Sequence, residues 1–451
     1  MNKDWFKNQK MKFKYLKTFA LIKVNIILAQ PLPYMTFDYH KQKYKSYTDW
    51  STYSNFKTFL NFSTTKNFGF ISEQRSTKNT SYNFSAFYKI LTKNNFYLYL
   101  NPQITYELKS NKTQKGKIFL NNNLSGIGFK NKWVNLQIGR GTESWSAGIY
   151  NQLLLSEYSS PYDYFKLFSD YGSLKVNYIH GILEKLDNQL NRYINAKSIE
   201  WTNKKSIVIG LSETVIYSGM NRQIELTYVN PISSHLESEL NDRLTINGSS
   251  NSNAVWQLHL NIKPKEGFRL SANFLVDELV LDKDIQIKKE HGTGFSAEFS
   301  FSTAIKDEKF FIYYASFEKI GTPTFRHSSG MNNFISDSKP IGWQFGSDGD
   351  EFSLGFSCIY KNIFVFNTSI GYVRLGEESI LYRPYDTYND YLIGSFPSGK
   401  STKFFDFNAE LLLNVNRYST LFICVNQHTS YIPKNDFYPN FRIGLIFNSM
   451  K

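Results

Sequence analysis

The feature that most limits how this chain can fold is a recurring period of two. Trp256, Leu258, Leu260 and Ile262 alternate with Gln257, His259, Asn261 and Lys263. Phe268, Leu270, Ala272, Phe274 and Val276 interleave mostly with Arg269, Ser271 and Asn273. Phe295, Ala297, Phe299 and Phe301 face away from Ser296, Glu298, Ser300 and Ser302. Phe405, Phe407, Ala409, Leu411 and Leu413 oppose Asp406, Asn408 and Glu410, and Phe441, Ile443, Leu445 and Phe447 oppose Arg442, Gly444 and Ile446. Successive side chains of a strand point to opposite faces, so each segment predicts a strand with one apolar and one polar face. The pattern dominates from about Tyr47 onward and predicts an all-β fold.

A β-sandwich satisfies the same period. Three features favour a transmembrane barrel instead. The apolar faces are aromatic and leucine-rich over runs of about 9–11 residues, the length that crosses a bilayer when tilted. The opposite faces carry charges beside Ser, Asn and Gly, as a wet lumen permits. The chain also ends almost on an aromatic-rich strand. Composition agrees: aromatic residues reach 17%, while a mean hydropathy of -0.39 is too polar for a bundle of membrane helices. The expected architecture is a single closed antiparallel transmembrane β-barrel.

Lys12, Lys14 and Lys17 precede a mostly apolar run from Thr18 to Ala29, interrupted by Lys23 and Asn25, with Gln30-Pro31 after it. That order predicts an export signal over residues 1–30. It leaves 31–451 as the barrel with extended surface and lumen loops. Lys109 to Leu120, Leu240 to Asn253 and Pro384 to Ser401 are polar, turn-rich connections.

The formal charge of +14 fits an acidic partner such as an anionic polysaccharide or lipid phosphates, and equally a general bias toward Lys. The basic residues are scattered, so nucleic acid is not expected. Cys358 and Cys424 lie far apart and form no Cys-x-x-Cys or Cys/His spacing, which excludes zinc and redox motifs. No cofactor is implied.

Between Gly139 and Asp163 the alternation breaks. The stretch carries Arg140 and Glu143, then Trp145-Ser146-Ala147-Gly148, the run Leu153 to Leu155 ending at Ser156, and Pro161-Tyr162. By itself it is a long loop between strands. Its order of Gly-Arg, Trp-x-x-Gly, Leu-Leu-Leu-Ser and Pro-aromatic resembles the Wzi-type capsule assembly family of outer-membrane β-barrels. It departs from the family at Trp145 to Gly148, where many relatives carry a tighter glycine-proline turn. Gly210 to Ile232 and Pro340 to Ser357 are similar to the family in residue order. The similarity runs from about Lys132 to the C-terminus. The resemblance implies roughly 18 strands, an outer-membrane location, and non-catalytic attachment or organisation of capsular or other surface polysaccharide. A diffusion porin or transporter for a small solute is the alternative.

Candidate binding residues follow from sugar chemistry, since aromatic platforms flanked by polar groups suit C–H faces and hydroxyls. Tyr382, Arg383, Tyr385, Asp386, Tyr388 and Tyr391 form one group. Trp145 and Tyr150 belong to a second with Tyr158, Tyr162 and Tyr164, and Trp343 stands near a third loop. An interfacial girdle would collect the same residue types. Arg140, Glu143, Glu213, Glu225 and Arg326 are expected as a lumen charge network that narrows the pore. Asp348, Asp350 and Glu351 cluster as calcium ligands do, but the remaining spaced oxygens are absent and a glycine-rich turn explains them, so no metal is assigned. Arg326-His327-Ser328 suggests a nucleophile, yet no oriented base or oxyanion hole accompanies it.

Overall fold

The computed structural model describes residues 66–76, 80–108, 117–148, 150–186, 189–235, 237, 252–278, 290–305, 309–361, 363–388, 394–416, 418–427 and 440–448. The expected export signal and Tyr391 lie outside these residues. The chain opens with β1 (Lys66–Ser76), β2 (Thr80–Leu91), β3 (Phe96–Leu108), β4 (Lys117–Lys130) and β5 (Val134–Gly141). Next come β6 (Tyr162–Asp170), β7 (Leu174–Leu186), β8 (Leu190–Thr202) and β9 (Ile207–Met220), then a single helical turn, α1 (Leu226–Val229). β10 (Ser252–Lys265), β11 (Phe268–Glu278), β12 (Gly292–Ile305) and β13 (Lys309–Ile320) follow. A small hairpin of β14 (Ile335–Ser336) and β15 (Lys339–Pro340) interrupts the series. β16 (Gly349–Tyr360), β17 (Phe364–Leu375), β18 (Thr402–Asn416), β19 (Ser419–Gln427) and β20 (Asn440–Asn448) complete it.

Eighteen of these strands form one antiparallel sheet. Each pairs with its neighbours in sequence, β13 passing directly to β16 across the small hairpin. β1 pairs with both β2 and β20, which brings the last strand back to the first. Strand pairing of this kind satisfies backbone groups within the sheet, as membrane-spanning strands require. No helix among the described residues is long and apolar enough to cross a membrane; the strands do the crossing.

The sheet is inside-out relative to a soluble protein. Phe274, Phe295, Phe299, Leu258, Leu270 and Ile370 are exposed, whereas Gln257, His259, Asn261, Arg269, Asn273 and Ser300 on the same or adjacent strands are buried. Phe407, Leu411 and Leu445, expected to face lipid, lie on the outward face and are half-covered by neighbouring side chains. One row across four strands, Phe317, Phe352, Tyr372 and Phe405, is aromatic and exposed. The next outward row is charged: Lys319, Asp350, Arg374 and Lys403. An aromatic girdle bounded by charge marks one edge of the apolar belt.

The two ends of the barrel differ. Connections 92–95, 131–133, 171–173, 203–206 and 266–267 are tight turns at one end. The long connections from β5 to β6, β9 to β10, β13 to β16 and β17 to β18 leave the sheet at the other end, the one bearing the charged row. Short periplasmic turns and long external loops are the arrangement of outer-membrane barrels.

Cys358 and Cys424 form no disulfide. Cys358 shares the outward face of Phe352 and Leu354, while Cys424 lies in an inward cluster with Leu412, Phe422 and Ile446, so the sheet separates them.

Candidate functional site

The loop after β5 does not run over the surface. It enters the lumen and crosses it. Glu143 meets Lys166 of β6 at 2.7 Å, with 3% of each side chain exposed. Trp145 Nε1 donates to the same carboxylate at 3.3 Å, and the Trp145 carbonyl accepts Gln257 Nε2 of β10 at 3.1 Å. The Ala147 amide donates to Asn273 Oδ1 of β11 at 2.7 Å, and Asn273 Nδ2 donates back to the Ala147 carbonyl at 3.0 Å. Gly148 sits at φ +94 with Glu298 so close that a Cβ would lie 2.9 Å from its carboxylate. Glycine alone meets both demands. Beyond the turn, the Tyr150 amide donates to Glu298 of β12 at 3.1 Å. The Tyr150 ring stacks on Tyr314 of β13 at 3.8 Å, and its hydroxyl lies 2.8 Å from Ser357 Oγ of β16. The inward polar side chains of the strands thus satisfy the backbone of the loop, as a buried loop requires.

The return limb pairs with the second long loop. Trp343 N donates to the Leu153 carbonyl at 3.0 Å, and Ser156 N donates to the Ile341 carbonyl at 2.8 Å. Gly342 permits this approach: a Cβ there would lie 2.0 Å from the Leu153 carbonyl oxygen. Trp145, Leu153, Leu154, Leu155, Phe325, Phe334, Ile341, Trp343 and Phe345 then pack together as an apolar core inside a polar barrel.

A third loop caps this plug. Asp348, wholly buried at φ +57, accepts Thr322 Oγ1 at 2.8 Å, the Ser398 amide at 2.9 Å and the Glu378 amide at 3.1 Å. It joins the loops on either side of β16–β17. Arg192 on the inner face of β8 has no exposed side-chain surface. It donates to the carbonyls of Met331 at 2.6 Å, Asn333 at 2.8 Å and Ile335 at 3.1 Å, and pairs with Glu184. Tyr385 lies over its guanidinium at 5.4 Å and donates its hydroxyl to Glu184 at 3.0 Å. Burial and that carboxylate push the Tyr385 hydroxyl above the usual phenol range, so it remains a donor throughout the neutral range. Arg326 binds Glu378 at 2.5 Å and carries Tyr388 over its guanidinium at 4.4 Å.

Of the tyrosine-loop candidates, Tyr382, Tyr385 and Tyr388 are half-buried, with Tyr382 and Tyr385 against the plug core. Arg383 and Asp386 are exposed, at 45% and 63% of their side chains, 3.9 Å apart, and Arg383 also pairs with Glu378 at 2.8 Å. Trp145 and Tyr150 differ from the expectation of a surface platform: both are inside the barrel, Trp145 wholly so. Tyr162 and Tyr164 are inward and buried, and Trp343 belongs to the plug.

The expected lumen charges divide. Glu143 is in the lumen, and Arg326 is in the cap above it. Arg140 is not, because its strand face is that of the exposed Leu136 and Ile138; it pairs outside with Asp163 at 2.8 Å. Glu213 shares the outward face of Leu211 and Ile209. Glu225 packs with Arg222 at 2.7 Å against the same outer wall. Asp350 and Glu351 point to opposite faces, to Arg374 and to Trp343 respectively, so the three carboxylates near Asp348 do not converge. No group of three metal-ligating side chains forms among the described residues. His327 Nδ1 lies 3.0 Å from Ser329 Oγ and accepts its amide, a local turn contact.

No family profile and no curated protein matches the chain. Among solved structures it is similar to Wzi of Escherichia coli, described as an outer-membrane protein involved in group 1 capsule assembly and a carbohydrate-binding β-barrel. The TM-score is 0.60 at 12% identity, over 85% of this chain and 84% of that one. It also matches Pseudomonas aeruginosa OprD, with a TM-score of 0.45 at 9% identity over 89% of this chain and 98% of that one. OccK2 of the same organism, solved with glucuronate, matches with a TM-score of 0.46 at 11% identity over 85% and 97%. With its outward apolar belt and one-sided loops, the chain has the fold of a Gram-negative outer-membrane β-barrel.

Proposed function

We propose that this protein is a non-catalytic outer-membrane barrel that attaches or organises surface polysaccharide through its external loop cap. The observation that carries this reading is the plug: the 142–161 loop spans the lumen and pairs with the 321–348 loop. A barrel filled by its own hydrophobic core is built to present a surface, and a filled lumen disfavours solute passage. The carbohydrate binding described for Wzi, with which the chain shares its fold, supports the same reading. On the cap, Arg383 and Asp386 offer exposed hydrogen-bonding groups beside the half-open rings of Tyr382, Tyr385 and Tyr388.

Two measurements on purified protein test this. Planar bilayers should show little conductance, and a glycan array should report binding to acidic or neutral polysaccharide. Free conductance with no glycan bound would replace this reading with that of a diffusion porin.

A further inference from the structure

Across β7 to β10 the outward face of the barrel changes character. Ile199, Leu211 and Leu258 form one exposed apolar row. In the next row toward the loop end stand Tyr178, Lys197, Glu213 and Trp256, and beyond it His180 and Asn195. His180 is directly opposite Phe165, and Phe165 opposite Ile138, both exposed members of the belt. The polar groups are therefore at belt height, where a bare charge is disfavoured.

Residues 222–235 cover them. Lys197 Nζ donates to the Ser233 carbonyl. Glu213 accepts Ser234 Oγ at 2.8 Å, the His235 amide at 3.0 Å and Trp256 Nε1 at 3.0 Å. Tyr178 and Tyr193 donate to the carbonyls of Tyr228 at 3.2 Å and Arg222 at 2.7 Å. Tyr228 stacks on Tyr217 at 4.4 Å. Arg222, Glu225, Tyr228, Ser233 and His235 are buried, while Ile224, Leu226, Val229 and Ile232 point away from the barrel. Leu226 is 83% and Ile232 90% exposed. In water such a row would be an odd use of apolar side chains.

We infer that residues 222–235 are a membrane-seated cover whose Ile224, Leu226, Val229 and Ile232 contact acyl chains of the outer leaflet. The occupant follows from continuity. Ser233 to His235 are tied to Lys197 and Glu213, one row from Ile199, Leu211 and Leu258, so Ile232 extends the apolar belt over the patch that interrupts it. The segment's polar face satisfies the wall and its apolar face restores the lipid-facing surface.

The test is spin-label accessibility in lipid nanodiscs, using the full chain with Cys358→Ser and Cys424→Ser. Nitroxides are attached at Ile232→Cys and, as an independent site, at Leu226→Cys. Leu258→Cys supplies the belt reference and Asp386→Cys the aqueous one. Heat-shifted gel mobility confirms that each variant is assembled. The expected result is an oxygen-to-nickel-chelate accessibility ratio several-fold above that at Asp386→Cys and close to that at Leu258→Cys. A ratio like that of Asp386→Cys overturns the inference. So does shielding from both reagents, which would instead place a second copy of the chain on this face.

Discussion

The Lys166 ammonium and the Glu143 carboxylate meet at 2.7 Å deep in the barrel, and they fix the point where the loop after β5 leaves the wall. Neither charge reaches bulk water, so each depends on the other. Removing one partner from a buried pair typically costs about 3–5 kcal/mol, because the remaining charge is stranded. Lys166→Met should therefore lower the unfolding temperature of the plug region and raise bilayer conductance. Combining it with Glu143→Gln should recover part of both losses. Equal effects for the single and double variants would show that the pair does not anchor the loop.

Gly342 gives a purely steric test of the plug. With the Leu153 carbonyl oxygen 2.0 Å from any Cβ, Gly342→Ala must push the two loops apart. Overpacking of this kind costs about 1–3 kcal/mol. The near-ultraviolet circular dichroism of Trp145 and Trp343 should weaken and conductance should rise, while the strand signal stays unchanged. Unaltered conductance would mean that the lumen is closed by other contacts.

The lipid-facing side is tested at Phe299, in the middle of β12 and 45% exposed. Phe299→Arg should cost about 2–4 kcal/mol if it sits near the bilayer midplane. Folding yield into lipid vesicles, followed by gel mobility, measures this. Assembly as efficient as that of the parent would remove Phe299 from the lipid-facing surface.

Much of the fold was legible because period two is a local property, and the strands read from Trp256–Ile262 and Phe405–Leu413 face as their alternation predicts. The lumen charges were harder. Arg140 stands two residues after Ile138, so parity alone assigns it to the outside; its neighbours Gly139 and Gly141 obscured the pattern. Glu213 follows Leu211 by two residues and breaks the rule that lipid faces carry no charge. It is tolerated because Ser234 and His235 return to cover it, a contact no local pattern reveals. The same holds for Trp145. Its partners Gln257 and Asn273 near Ala147 were recognisable as inward polar residues, but nothing nearby in the chain shows that a loop would reach them. Arg192 went unread for the same reason, and Asp348 was legible only as part of an acidic turn: their partners are dispersed over several loops.

The last prediction concerns the cap as a binding surface. Replacing Tyr385 outright would not isolate binding, because its ring lies over Arg192 and its hydroxyl holds Glu184. Arg383 and Asp386 serve better. Both are exposed, and their mutual contact at 3.9 Å and the Arg383 pair with Glu378 at 2.8 Å are surface ion pairs, each worth at most about 1 kcal/mol to stability. Arg383→Ala with Asp386→Ala should leave assembly and heat stability intact while removing hydrogen-bond partners for a sugar chain. Each contact is weak alone, and binding to a long polysaccharide multiplies it over many repeats and many barrels. Loss of the two side chains should thus release a large share of the polysaccharide retained by cells, with purified monomeric protein losing only a few-fold in affinity for a short oligosaccharide. Cells that keep their full coat with the double variant correctly assembled would move the binding surface away from this part of the cap.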